Sequence, residues 1–154
     1  MAEGVGEKFE RLVEIMRTLR APGGCPWDRE QTLASLRPFV LEETYEVLEA
    51  IDAADTAHLR EELGDYLYEA VFLAQISEEA GDFTIGDAID EIRAKLVRRH
   101  PHVFAKQSGD GEITTTQVVE RWETTKARER AERGVADEGP RKTTLSGIPK
   151  TLPS

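Results

Sequence analysis

The strongest constraint on this chain is a spacing. Over several long stretches apolar residues return every three or four positions, and Gly or Pro breaks the stretches apart. The first stretch carries Val5, Phe9, Leu12, Val13, Met16 and Leu19 on one helical face, and Ala21-Pro22-Gly23-Gly24-Cys25-Pro26 ends it. A loop holding Trp27 and Asp28 and a short turn over Thr32–Leu36 follow. A second helix is predicted from Pro38 to Ala54, since the first helical turn has no N–H bond for a proline to lose. A third runs from Thr56, the expected N-cap, to Ala80, where Gly81 stops it. A fourth covers Thr84 to His100 and is closed by Pro101. After a loop containing Ser108–Gly111, a fifth runs from Thr115 to Gly134. No run alternates with period two between turn signals, so the expected class is all-α with essentially no sheet. Short connections between long helices predict an antiparallel bundle. Residues 1–134 form the expected domain; residues 135–154, rich in Gly, Pro, Thr and Ser, are read as a flexible tail or linker.

Charge narrows the function classes. The formal net charge is −10, whereas a binder of nucleic-acid polymers needs a basic face to displace counterions. An acidic chain can still take a polyphosphate when bound cations invert the local field. Cys25 is the single cysteine, too few for an intrachain disulfide framework or a Cys-rich zinc site. The acidic N-terminus has no apolar segment of the signal-peptide kind, and no apolar run approaches the ~20 residues that span a bilayer. These features are read together as a cytoplasmic protein with no membrane partner.

The chemistry-bearing residues lie on the second and third helices. At ~100° per residue, Val40, Thr44, Val47, Leu48 and Ile51 define the core-facing stripe of the second helix. Glu43 and Glu46 fall on its flank, with Glu42 and Glu49 further towards solvent. On the third helix the stripe is Leu59, Leu63, Tyr66, Leu67 and Ala70, flanked by Glu62 and Asp65, with Glu69 one turn on. Two antiparallel neighbours would then converge four carboxylates, whose repulsion a hard divalent cation such as Mg²⁺ or Mn²⁺ relieves. Acidic runs also line ordinary solvated helix faces, and the wheels alone do not choose between the two. A di-iron bundle would need two Glu-x-x-His motifs; Asp55-x-x-His58 is the nearest approach.

Cations gather later in the chain. Lys95, Arg98 and Arg99 stand at the end of the fourth helix, before His100-Pro101-His102. They could clamp a phosphate or simply complement a helix C-terminus. Trp122 and Lys126, four apart, could hold a base and its phosphate, or be a half-buried Trp beside a solvated Lys. Trp27, in a Gly/Pro loop, could stack on a nucleobase or cap the bundle. Cys25 has no local base and is not read as a nucleophile.

Five segments in order closely resemble the MazG nucleotide pyrophosphohydrolase family: Gly24-Cys25-Pro26-Trp27-Asp28, Gln31-Thr32, Glu42-Glu43-Thr44-Tyr45-Glu46, Glu61-Glu62-Leu63-Gly64-Asp65, and Arg98-Arg99-His100-Pro101-His102-Val103-Phe104. The family signature is E-E-x-x-E, a spacer, then E-x-x-D, and 15 residues separate Glu46 from Glu62. The resemblance implies an all-α NTP pyrophosphatase fold whose four-helix core is completed by homodimerisation. It implies Mg²⁺, with Mn²⁺ as substitute, held by Glu43, Glu46, Glu62 and Asp65. It implies that Lys95, Arg99, Trp122 and Lys126 face the nucleotide, and Trp27 is carried over with them; Arg98, beside Arg99, is taken as a further substrate-binding candidate. The expected reaction is hydrolysis of a nucleoside triphosphate to a monophosphate and pyrophosphate, a house-cleaning of normal or damaged nucleotides, with Glu42 or Glu69 as general base. Leu145–Pro153 resembles the start of the linker in two-domain members, whose copies need not be equally active. The alternative is therefore a catalytically weak, dimeric module that binds nucleotides or a protein.

Overall fold

Each expected helix forms, and most helix starts are fixed by an identifiable group. The computed structural model describes residues 4–105 and 113–132, and among these every regular element is a helix. The elements are α1 (Val5–Arg20), α2 (Pro26–Glu30), α3 (Arg37–Asp52), α4 (Thr56–Ala80), α5 (Ile85–Arg99), α6 (Pro101–Phe104) and α7 (Thr115–Glu132). The expected tail from residue 135 and the Ser108–Gly111 loop lie outside the described residues. Asp55, not Thr56, caps α4: its Oδ1 accepts from the backbone N–H groups of Ala57 (3.0 Å) and His58 (3.1 Å). Thr56 is already helical, so its hydroxyl is one position too late for that role. Thr84 and Asp87 cap α5 reciprocally, as Thr114 and Gln117 cap α7. Gly81 ends α4 at φ 78°, a left-handed position that suits glycine. The two short helices α2 and α6 were expected as loop; each has a proline in its first turn, where the missing N–H is no loss.

The chain divides into two compact units, one reaching Glu91 and the other starting at Ile92, the division falling within α5. In the first unit α4 is the central element and packs against α1 and α3. Its core is Val13 and Met16 of α1, Leu36 before α3, and Val71 and Phe72 of α4, with Phe9, Leu12, Phe39, Tyr68, Leu73, Ile76 and Ile85 packed around them. α3 and α4 form a helical hairpin whose turn places Ala54 at φ 52°, an uncommon conformation for a residue with a Cβ.

One expectation is corrected. The stripes assigned to the core on α3 and α4 do not enter the core of this chain: Leu48, Ile51, Leu63, Tyr66 and Leu67 are each between 43% and 54% exposed. The wheel located an apolar face correctly, but among the described residues of the first unit no element covers it. The buried stretch of α4 begins further on, from Glu69 through Val71, Phe72, Ala74, Gln75 and Ser77.

A polar strut ties α1 and α2 to α4. Arg20, its side chain 7% exposed, donates from Nε and Nη2 to the Glu79 carboxylate at 2.8 and 2.7 Å. Its Nη1 donates to the carbonyl oxygens of Asp28 and Gln31, and its guanidinium lies over the Phe72 ring. Asp28, also buried, accepts a 3.0 Å hydrogen bond from the Tyr68 hydroxyl. The loop feeding α2 closes tightly on α1: a Cβ on Gly24 would lie 2.2 Å from the Leu19 carbonyl oxygen. Phe72→Ala should therefore destabilise the fold by about 3–5 kcal/mol, the range for truncating a buried Phe, read from urea unfolding. A loss under about 1 kcal/mol would mean that Phe72 is not at the centre of the core.

Candidate metal centre

The α3–α4 hairpin brings like charges together because the same packing that aligns the helices aligns their i, i+3 carboxylate pairs. One carboxylate oxygen each from Glu43, Glu62 and Asp65 lie within 4.8 Å of one another. Glu62 is buried, Glu43 half-buried and Asp65 exposed, so the group opens to solvent on one side. Glu46, on α3, lies near enough to Glu62 for the Glu62 charge to help hold its carboxyl above the ordinary value. The four positions expected from the sequence thus gather in one place, with three in the tightest group. Glu42 is on the exposed side of α3.

The electrostatics record the crowding. Desolvation first, then the charges of Glu46, Asp65, Glu62 and Glu69, hold the Glu43 carboxyl above its ordinary value of 4.5. Desolvation and then Glu62 raise Glu46, and burial pushes Glu69 up. Oε2 of Glu43 is enclosed and has no hydrogen-bond partner among the described residues. An oxygen left that way is expensive unless something not yet present satisfies it. One neighbour went unnoticed in the sequence: His58 Nε2 lies 2.8 Å from Glu62 Oε1, and the i, i+4 spacing was the available signal.

The residues fit a hard divalent ion. The donors are all carboxylate oxygens, and an octahedral Mg²⁺ with ~2.1 Å bonds spans roughly 4.2 Å between opposite ligands, close to the 4.8 Å limit of the group. The open side leaves room for water or phosphate oxygens.

The remaining expected residues fall elsewhere. Trp27 sits on α2 with its ring edge-on to Phe39 (5.6 Å) and Phe72 (6.4 Å), and is still 48% exposed. It therefore caps the apolar cluster and also presents indole surface to solvent. In the second unit, Arg98 and Arg99 both grip the buried Glu129, with Arg98 Nε donating to Oε1 at 2.8 Å and Arg99 Nε to Oε2 at 3.1 Å. These guanidinium groups hold the Glu129 carboxyl down at about 2. Sequence inspection missed Glu129, whose place among the many charges of α7 gave it no distinguishing mark. Lys126 Nζ lies 4.9 Å from the centre of the Trp122 ring and 3.0 Å from Glu123 Oε1. Lys95 is half-buried on α5.

A raised carboxyl binds its proton more tightly folded than unfolded, so protonation favours the fold. That contribution is complete below 4.5 and is lost as pH rises through the higher folded value. Metal-free Glu43→Gln should therefore melt higher than the wild type at pH 7, with the gain shrinking towards pH 4.5. Equal gains at both pH values in thermal melts would show that Glu43 is not under this strain.

Comparison with known proteins falls on the same segments. Residues 31–104 match the MazG nucleotide pyrophosphohydrolase domain. The chain is 46% identical over 148 residues to a nucleoside triphosphate pyrophosphohydrolase of Escherichia coli, covering 96% of this chain and 53% of that protein. It is 48% identical over 128 residues to the nucleoside triphosphate pyrophosphohydrolase/pyrophosphatase MazG of Thermotoga maritima, covering 83% and 48%. The chain spans about half the length of these curated relatives. A crystal structure of a mazG-related protein from Thermotoga maritima superposes with a TM-score of 0.63 at 31% identity, over 77% of this chain and 98% of that one.

Proposed function

The chain belongs to the MazG nucleotide pyrophosphohydrolase family, and on that basis we propose that it hydrolyses nucleoside triphosphates to monophosphates and pyrophosphate with a divalent metal. The observation that carries the reading is the Glu43–Glu62–Asp65 group on a packed helical hairpin. In this reading Glu43, Glu46, Glu62 and Asp65 hold Mg²⁺, or Mn²⁺ in its place. The bound ion would neutralise polyphosphate charge and lower the pKa of a water. The protein's own contribution is pre-positioning. The hairpin keeps the carboxylates together before substrate arrives, and the open side at Asp65 admits the phosphates. Glu42, exposed beside the group, is assigned as general base.

Lys95, Arg99, Trp122 and Lys126 are proposed as substrate contacts on the strength of the family resemblance, and Arg98 as the neighbour of Arg99. Two observations support this. Arg98 and Arg99 already hold a carboxylate with the donor geometry that suits phosphate, and Trp122 with Lys126 pairs an aromatic face with a cation. Trp27 is proposed to pack against the base or sugar with its exposed face. Normal and damaged nucleotides are both retained as substrates of this house-cleaning role. Among the described residues no helix is long and apolar enough to cross a membrane; we place the action in the cytoplasm, where such substrates arise.

We further propose that a second copy of the chain covers Tyr45, Leu48, Ile51, Leu63, Tyr66 and Leu67, completing a four-helix core. Six large apolar side chains left about half exposed on one hairpin support it, because soluble monomers rarely leave so large a contiguous apolar patch open.

Product analysis on nucleoside triphosphates with Mg²⁺ should yield monophosphate and pyrophosphate and stop on chelation. Glu62→Gln should slow turnover by about 100-fold or more, the scale of removing a transition-state electrostatic contact. Diphosphate plus phosphate would mean the wrong bond; nucleotide binding without turnover would favour the binding-module alternative. Leu63→Glu should shift the sedimenting species from dimer to monomer, and a wild type that already sediments as a monomer would remove the dimer from the reading.

A further inference from the structure

The two arginines at the end of α5 share one acid. Arg98 donates from Nε to Glu129 Oε1 at 2.8 Å, and its Nη2 lies 2.6 Å from the same oxygen. Arg99 donates to the other oxygen, Oε2, from Nε at 3.1 Å and from Nη2 at 2.5 Å. One carboxylate thus fixes two guanidinium groups that are neighbours in the chain and repel each other. Hydrogen bonds from Arg99, working against burial, and then from Arg98 hold the Glu129 carboxyl down at about 2, so it is ionised at neutral pH. Glu129 follows Lys126 by three residues and Trp122 by seven, a spacing that puts all three on one face of α7.

Burial separates two roles for such an acid. The Glu129 side chain is 9% exposed, whereas those of Arg99 and Arg98 are 17% and 44% exposed. The acid is the most enclosed of the three, so it backs the arginine pair instead of covering it. An anion that blocked the pair would lie on the open side. The Nη1 group of each guanidinium takes no part in the contacts with Glu129.

We propose that Glu129 is a positioning residue for nucleotide binding, holding Arg98 and Arg99 in a fixed spread by one edge of each guanidinium and leaving the other side for the polyphosphate. The proposal rests on the reading above that these arginines meet the nucleotide. Arginine side chains lose rotamer freedom when they bind, and a partner that orders them beforehand removes that cost at the moment of binding. The charge of Glu129 acts the other way, because it repels an incoming anion. The two effects have opposite signs, so neutralising Glu129 tells which one governs.

The test is calorimetric titration of the intact chain, with Mg²⁺, by α,β-methylene analogues of the common nucleoside triphosphates, which resist cleavage at that bond. Glu129→Gln keeps the shape and loses the charge. It should bind about tenfold more weakly, the scale of ordering two long side chains on binding. Arg98→Ala/Arg99→Ala should bind more weakly still. Adding Glu129→Gln to that pair should change the affinity by less than about twofold, because the acid acts only through the arginines. Helix content by circular dichroism should stay at the wild-type level. Should Glu129→Gln unfold, Glu129→Asp, which keeps the charge but withdraws it by one methylene, takes its place in the same cycle. Unchanged or tighter binding by Glu129→Gln overturns the proposal, and tighter binding would make the acid an inhibitor of the pair. A loss that persists in the arginine-free background overturns it as well, as a structural effect of the α5–α7 tie. Arginine variants that bind like the wild type remove the contact and the proposal together. A wild type that binds the analogues but leaves nucleoside triphosphates uncleaved sinks the pyrophosphohydrolase reading, and the cycle still decides the role of Glu129. A wild type that binds no analogue overturns both.

Discussion

The packing of α3 against α4 sets the terms for everything else in the first unit. Once two helices with i, i+3 carboxylate pairs are joined by a three-residue turn, their acids must approach one another. Two like charges ~4 Å apart at an effective dielectric of ~20 repel by about 4 kcal/mol, a sizeable fraction of the 5–15 kcal/mol by which domains are stable. The protein relieves this in two ways. Asp65 stays in solvent, and Glu43, Glu46 and Glu69 hold their protons more tightly than usual. Neither route gives the enclosed oxygens of Glu43 and Glu69 a hydrogen-bond partner among the described residues. A bound cation, as proposed, would do what protonation only partly achieves: it would remove the repulsion and supply a partner.

That strained arrangement needs a rigid support, and the Arg20 strut provides it from the far half of α4. Arg20 joins the end of α1 to Glu79 and to the backbone of α2, while Asp28 of α2 receives the Tyr68 hydroxyl one residue before Glu69. The buried Arg is satisfied in both charge and hydrogen bonds, the condition under which a buried cation is tolerated. Its flat face also covers Phe72, the centre of the core. Polar and apolar packing therefore meet at one place, and they anchor the helix that carries Glu62, Asp65 and Glu69.

Much of this was legible in the residues. Helical spacing gave the five long helices, and Gly81 and Pro101 marked stops that the structure keeps. The paired carboxylates were legible because period and spacing are local properties. Three things were not. The cap of α4 moved from Thr56 to Asp55, since two adjacent capping residues leave the first helical residue open by one position. Glu129 could not be picked out, because its importance comes from Arg98 and Arg99 some thirty residues away. The stripe of Leu48, Ile51, Leu63 and Leu67 was read as core, because periodicity shows which face is apolar and is silent on what covers it.

That last misreading points to a division within α4. In its first half the usual order is inverted: Glu62 is buried while Leu63, Tyr66 and Leu67, beside the carboxylates, stand half in water. In its second half Val71, Phe72 and Ala74 are buried and Glu78 and Glu79 reach outward to arginines. The second half stabilises the fold of this chain unaided. The first half has two demands, a charge to neutralise and an apolar face to cover, that the first unit leaves unmet. The two demands are interleaved along one helix, so an answer to either would stiffen the other. A cation on the acids would hold α3 against α4 and fix the apolar face in one shape. A partner on that face would in turn lower the dielectric around the acids and strengthen their hold on the cation. Metal binding and association should therefore be thermodynamically linked, each favouring the other by the same factor.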